Sequence, residues 1–251
     1  MSRASHLLVI PGLVVLWQLA SLAAGDLSFI LPGPARVAAA WLERRDVILH
    51  HALITFAEIG LGLLVGVLCG GASALLMAAA PALRRWMLPV LVASQAIPVF
   101  ALAPILVLWL GYGLASKIAM AVIVIYFPVT TAFLDGLRRT ERGWLELAHV
   151  MNARPLAVLL RLRLPAALPA LASGVRVATA VAPIGAVIGE WVGSSGGLGF
   201  LMLQANARMQ IPLMFAALLT LAVFAVALYV AVDFLLRRAL PWQDEDPAFD
   251  D

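Results

Sequence analysis

Chemistry at neutral pH needs nucleophiles, bases, metal ligands or a phosphate cradle, and this 251-residue chain offers few of them. Its four histidines, His6, His50, His51 and His149, share no metal-like spacing with carboxylates, so no metal centre is implied. Cys69 is the one cysteine and sits in an apolar run, which excludes an intrachain disulfide and leaves the redox compartment open. A phosphate-binding loop requires G-x-x-x-x-G-K-[ST], because backbone amides and the lysine hold the phosphates. Lys117 is the only lysine, and its neighbours in GYGLASK do not fit that pattern. The chain therefore reads as a non-enzyme with no cofactor and no nucleotide site of this kind. Its polarity is instead gathered in one internal stretch, ELAHVMNARPLAVLLRLRLPAALP (146–169), where Glu146, His149, Asn152, Arg154, Arg161 and Arg163 follow helical spacing between apolar residues.

The rest of the sequence explains where such a stretch must sit. Hydrophobic residues make up 63%, charged residues 12%, and the mean hydropathy is +1.01. No soluble core of this size hides that much apolar surface, so part of the solvent is lipid. A net charge of +3 gives no sign of nucleic-acid binding. Runs long enough to cross about 30 Å of hydrocarbon are expected near residues 7–24, 52–80, 86–110, 115–137, 166–192 and 211–236. A signal peptide is the alternative for the first, since Arg3 precedes an apolar run ending in SLAAG. The implied organisation is an N-terminal span with its outer connection (1–51), a membrane-spanning core (52–236) and an acidic tail (237–251).

Six spans with the N-terminus inside put 11 arginines on the cytoplasmic side: Arg3, Arg84, Arg85, Arg138, Arg139, Arg142, Arg154, Arg161, Arg163, Arg237 and Arg238. The 5 outer cations are Arg36, Arg44, Arg45, Arg208 and Lys117. That bias predicts both termini in the cytoplasm. Small residues at four-residue intervals, Gly62, Gly66, Gly70, Ala74 and Ala78 in one span and Gly185, Gly189 and Gly193 in another, predict close backbone packing. Polar side chains at mid-depth face a bundle interior, so Gln95, Tyr126, Arg176 and Thr179 are candidates for a translocation path. Arg176 has a second role open to it, an ion pair with Asp135 or Asp233. Pro98, Pro104 and Pro183 interrupt their spans, and the turn GSSGGLG after Glu190 and Trp191 is a candidate outer gate. An ion-coupled secondary transporter or a channel is the rival reading. It would draw on the intramembrane carboxylates Glu58, Asp135, Glu190 and Asp233, all of which fall towards span ends.

By this topology the polar stretch is a cytoplasmic loop (138–165). It is expected to form two short helices, about Arg142–Met151 and about Pro155–Arg163, with a corner between them. Asn152 stands where a helix end wants a left-handed residue, and Pro155 suits the first position of a new helix. Pro165 is expected to break the helix at Leu164 before the next span begins.

The spacing Glu146-Leu147-Ala148, corner Asn152-Ala153, then Leu164-Pro165 before a span resembles the EAA loop of binding-protein-dependent ABC importer permeases. Leu147 stands where that loop has its middle alanine, and Asn152 where it has glycine. LPGPARV (31–37), IPVFALAPILVLWLGYG (97–113) and GEWVGSSGGLG (189–199) resemble the branch serving nitrate, sulfonate, taurine and thiamine-pyrimidine import, so the likeness covers nearly the whole chain. The resemblance implies an all-α membrane protein with the six-helix type I importer fold. It also implies that the elbow, a coupling helix, docks on a separate cytoplasmic ATPase, with Glu146 and Ala148 facing that partner. A second permease chain, commonly an identical one, and an extracytoplasmic solute-binding protein complete the implied assembly in a bacterial inner membrane. The substrate it suggests is a thiamine-related pyrimidine, with sulfonate, taurine or nitrate as alternatives.

Overall fold

The computed structural model describes residues 3–23, 25 and 30–242; of the acidic tail proposed from sequence (237–251), residues 237–239 continue the last helix and residues 243–251 lie outside the described residues. Every regular element among those described is helical. They run α1 (Arg3–Ala23), α2 (Pro34–Glu43), α3 (Arg45–Ala79), α4 (Pro81–Ser94), α5 (Val99–Leu110), α6 (Leu114–Arg138), α7 (Arg142–Val150), α8 (Pro155–Val158), a π-helical turn (Leu159–Arg163), α9 (Leu164–Gly193), α10 (Leu198–Ala207) and α11 (Ile211–Ala239).

The centre of the molecule is α6, held between α3 and α9, and the small residues explain why. A methyl added at Gly62 or Gly66 of α3 would lie 2.5 Å from Ala121 Cβ or Ile125 Cγ2 of α6. On the opposite side a methyl at Gly185 would lie 2.9 Å from Ala121 Cα, and one at Gly174 2.9 Å from the Pro128 carbonyl oxygen. The three backbones approach so closely because these positions carry no side chain, which is how helices associate where lipid offers no hydrophobic drive. Ala121, Ile125, Val129, Ala178, Ala182 and Ala186 are fully buried in this seam. Outward faces are the reverse: Val223, Val226 and Val230 of α11 recur along one exposed stripe, as a lipid-facing helix requires.

Among the described residues, α3, α6, the continuous rod Pro155–Gly193 and α11 are long and apolar enough to cross a membrane. The span expected over 86–110 with an interruption at Pro98 is broken there: α4 and α5 meet at a bend of 106°. The cause is local. Gln95, Ala96 and Ile97 turn back to the carbonyls of Val92, Ala93 and Ser94, and Pro98 then denies its preceding residue the helical region. The first expected span corresponds to α1, a 21-residue helix. Trp17 of α1 stacks on Phe215 of α11, and Ser21 Oγ donates to Leu31 O at 2.9 Å. Two helices were not anticipated. Proline opens α2 (Pro34), which lies against α11 through buried Val37 and a Trp41 Nε1 hydrogen bond to Thr220 Oγ1 (3.1 Å). The second, α10, follows the glycine-rich turn and is described with the site.

Pro165 also behaves differently from expectation. Leu164 is helical (φ −60, ψ −53), and α8, the π-turn and α9 form one unbroken rod. A proline ring collides with the carbonyl four residues back in an α-helix. Here the preceding turn is wound wider, with the Leu164 N–H donating to Leu159 O five residues back. The insertion of a π-turn accommodates the proline that would otherwise stop the helix.

Candidate functional site

The elbow is a helix–corner–helix whose geometry is fixed mainly by its own backbone. Asn152 adopts φ 57, one of two non-glycine residues with positive φ among those described. The Ala153 N–H donates to Ala148 O at 3.0 Å and the Asn152 N–H to His149 O at 2.9 Å, the paired bonds of a Schellman helix end. Arg154 is then extended (ψ 140) and Pro155 occupies the first turn of α8, where its missing N–H leaves nothing unsatisfied. The two sequence-derived assignments at this corner therefore describe its actual conformation.

Around the corner Glu146, Leu147, Asn152 and Ala153 are exposed, Leu164 is half-buried and Pro165 is exposed. Trp144, Val150 and Met151 add exposed apolar surface to α7. Ala148 is not on the open face; it is 5% exposed and forms the floor of a cleft of about 310 Å³ with Ala153, Ala157 and Val158, bounded by Trp144 and Arg161. Its small side chain is what leaves that cleft empty of protein atoms.

The candidate path residues are not brought together by direct contact. Tyr126 donates its hydroxyl to Ser73 Oγ (2.8 Å), tying α6 to α3. Thr179 is fully buried and donates to Val175 O of its own helix (2.7 Å). Arg176 Nε donates to Asp233 Oδ1 at 2.6 Å, so the ion-pair role holds and joins α9 to α11; Asp233 also accepts from Arg237 (2.9 Å). Gln95 caps α4 at the 106° bend and is exposed.

At the far end of α9 lies a cluster that sequence reasoning saw only in part. The first four N–H groups of a helix have no partner within it, and in α10 all four are met by side chains of other helices. The Gly197 N–H donates to His51 Nδ1 (3.0 Å), the Leu198 N–H to Thr55 Oγ1 (2.7 Å), and the Gly199 and Phe200 N–H groups to Glu190 Oε2. Thr55 in turn donates to Glu190 Oε1 at 2.6 Å. Glu190 is 1% exposed, and its carboxyl caps the N-terminus of α10. The glycine run makes the approach possible. Gly197 has φ 107 and a methyl there would lie 2.2 Å from the Glu190 carboxyl, while one at Gly199 would lie 2.7 Å from Oε2. Beside this cluster Lys117 Nζ pairs with Glu58 Oε1 at 2.7 Å, both side chains buried. Lys117, counted among the outer-side cations from sequence, is buried as the counter-charge of Glu58. Trp191 points away from the clasp and packs on Phe100 of α5, with ring centroids 6.1 Å apart. The missed residues left a signal: His51, Thr55 and Glu58 share one face of α3 with Gly62 and Gly66, a polar patch continuing a packing stripe.

The carboxylates that an ion-coupled carrier would need are thus engaged with protein. Glu190 holds backbone, Glu58 holds Lys117, Asp233 holds two arginines, and Asp135 is exposed near Arg138.

A long rod with an elbow at one end, packed through glycine seams against two further spans, is the fold of a type I ABC importer permease. Residues 62–242 match the family described as the binding-protein-dependent transport system inner membrane component, and the chain belongs to that family. It is 53% identical over 232 residues to a probable ABC transporter permease protein of Haemophilus influenzae, covering 92% of this chain and 95% of that one. It is 35% identical over 232 residues to the formylaminopyrimidine transport permease protein ThiX of Halalkalibacterium halodurans, covering 92% of each. The fold matches that of the MetNI methionine ABC transporter in an inward-facing conformation, with a TM-score of 0.69 at 19% identity over 78% of this chain and 97% of that one. The protein is a multi-pass inner-membrane permease of the ABC importer class.

Proposed function

We propose that this permease forms the translocation path for a small heteroaromatic solute, with a thiamine-related pyrimidine as the first candidate. A soluble binding protein delivers the solute from outside, and a separate cytoplasmic ATPase that docks on the elbow drives its passage. Two copies of the chain enclose the path. Both termini lie in the cytoplasm, α1 supplies a further crossing, and the elbow (138–165) faces the ATPase. The single observation that carries the coupling role is the Asn152 corner. It sets a short helix with an exposed apolar and acidic face at a fixed angle to the rod that becomes α9. Glu146 and Leu147 offer the contact surface, and the cleft floored by Ala148 and Ala153 is where an ATPase side chain seats.

Within the membrane, Gln95 at the α4–α5 bend and Tyr126 on α6 line the path, while Arg176 and Thr179 support it from α9. The substrate reading rests on the 35% identity to a formylaminopyrimidine permease over nearly full length. The test is reconstitution of the permease with its ATPase and binding protein in proteoliposomes, with uptake followed for formylaminopyrimidine, taurine, an alkanesulfonate and nitrate. ATP-dependent uptake of the pyrimidine alone is expected; uptake of a sulfonate or nitrate instead would replace the substrate class, and uptake without ATPase would overturn the importer reading.

A further inference from the structure

One end of α10 is tethered and the other is strained. At the tethered end three side chains from two helices meet all four free N–H groups, as described above. At the other end Met209 adopts φ 58, with the Gln210 N–H donating to Ala205 O (2.8 Å) and the Met209 N–H to Asn206 O (3.0 Å). A methionine has no side-chain preference for that region, and such conformations persist only where the surroundings impose them. Met209 is 68% exposed, so little of its own side chain is packed there. What holds the corner is the rest of α10: Leu198, Leu201 and Ala205 are buried against the core and the N-terminus is clasped.

The position of this corner follows from the α9–α11 pairing. Arg176 meets Asp233, the two helices run antiparallel, and Ile211 lies as far before Asp233 as Leu198 lies beyond Arg176. The corner Asn206–Gln210 therefore sits level with the glycine-rich turn, at the end of the bundle away from the elbow. All five of its residues are exposed. A cation, Arg208, beside a long apolar side chain on an immobilised backbone is a chemistry enriched where proteins bind one another.

We propose that His51, Thr55 and Glu190 are positioning residues that hold α10 so that the Asn206–Gln210 corner forms part of the surface receiving the loaded binding protein. The inference rests on the importer reading above. The polar atoms of the cluster are engaged with the α10 backbone and with one another. The contacting surface of the partner is acidic around an apolar patch, complementing Arg208 and Met209.

The test uses the reconstituted permease–ATPase complex and titrates loaded binding protein against ATP hydrolysis. Thr55→Val removes the hydroxyl's hydrogen bonds to the Leu198 N–H, the Glu190 carboxyl and His51 O at constant shape, whereas Thr55→Ser keeps them. Thr55→Val, Glu190→Gln and Arg208→Glu should each raise the half-saturating concentration of binding protein about tenfold, the loss of roughly one hydrogen bond or ion pair in affinity. Maximal hydrolysis should stay within about twofold, since the interaction lost is uniform binding, and Thr55→Ser should match the parent. If Glu190→Gln fails to assemble, Thr55→Val and Arg208→Glu carry the same comparison. A lowered melting temperature or a lowered maximal rate with the half-saturating concentration unchanged would overturn the positioning role. Absence of stimulation in the parent itself would instead overturn the importer reading.

Discussion

Two helices in this protein end in the same backbone motif and are governed in opposite ways. The elbow corner at Asn152 and the opposite corner at Met209 both have positive φ and the same pair of returning hydrogen bonds. At Asn152 the residue suits the conformation, since a short polar side chain tolerates the left-handed region. Little else is required, and α7 beside it is largely exposed. At Met209 the residue does not suit it, and the conformation is imposed from a distance by the clasp and the burial of α10. A turn can thus be encoded where it stands or dictated by the packing of the element before it. The first kind can move as a unit, whereas the second is fixed to the frame.

The largest expected effect breaks the Met209 half of this contrast. Gly197→Val places a β-branched residue at φ 107 and drives it into the Glu190 carboxyl, so strain and clash together exceed about 3 kcal/mol. Little folded protein should be recovered by gel filtration in detergent, and recovery at the parental level would show that the clasp does not hold α10. Ala148→Trp tests the elbow half by filling the cleft beneath the corner. The protein should insert normally, lose co-purification of the ATPase and transport at less than about a tenth of the parental rate, the equivalent of roughly 1.4 kcal/mol or more in coupling. Asn152→Val should cost about 1–2 kcal/mol at the corner and reduce transport several-fold, because a β-branched side chain is a poor occupant of that region. Arg176→Leu leaves Asp233 with Arg237 alone and should lower the melting temperature and transport together. Loss of transport at unchanged stability would return Arg176 to the path. The smallest effects sharpen the contrast: Asn152→Gly should be neutral within about 0.5 kcal/mol, whereas Met209→Gly should relieve strain and stabilise by up to about 1 kcal/mol. Thermal unfolding followed by tryptophan fluorescence distinguishes the two.

The same division decides what the amino-acid order reveals. Asn152 and Pro155 were legible because a helix end is written in four or five consecutive residues. The glycine stripes of α3 and α9 were legible because their period alone marks a packing face. At Gln95–Pro98 the interruption was legible from Pro98 but the 106° angle was not, because the apolar run continues through the bend and hydropathy carries no direction. Pro165 misled for a different reason: its usual effect is absorbed by a π-turn in the residues before it. The role of Glu190 was hidden because its partners, His51 and Thr55, lie on another helix, and the glycines that admit its carboxyl look like an ordinary turn.

The unbroken run from Pro155 to Gly193 has a mechanical meaning. At about 1.5 Å per residue it is a shaft of roughly 60 Å, with the elbow as a crank handle at one end and Glu190 near the other. The π-turn keeps the winding continuous where a hinge would otherwise stand. A twist applied at the elbow would then reach the far end of the shaft as a twist of the carboxylate that grips α10.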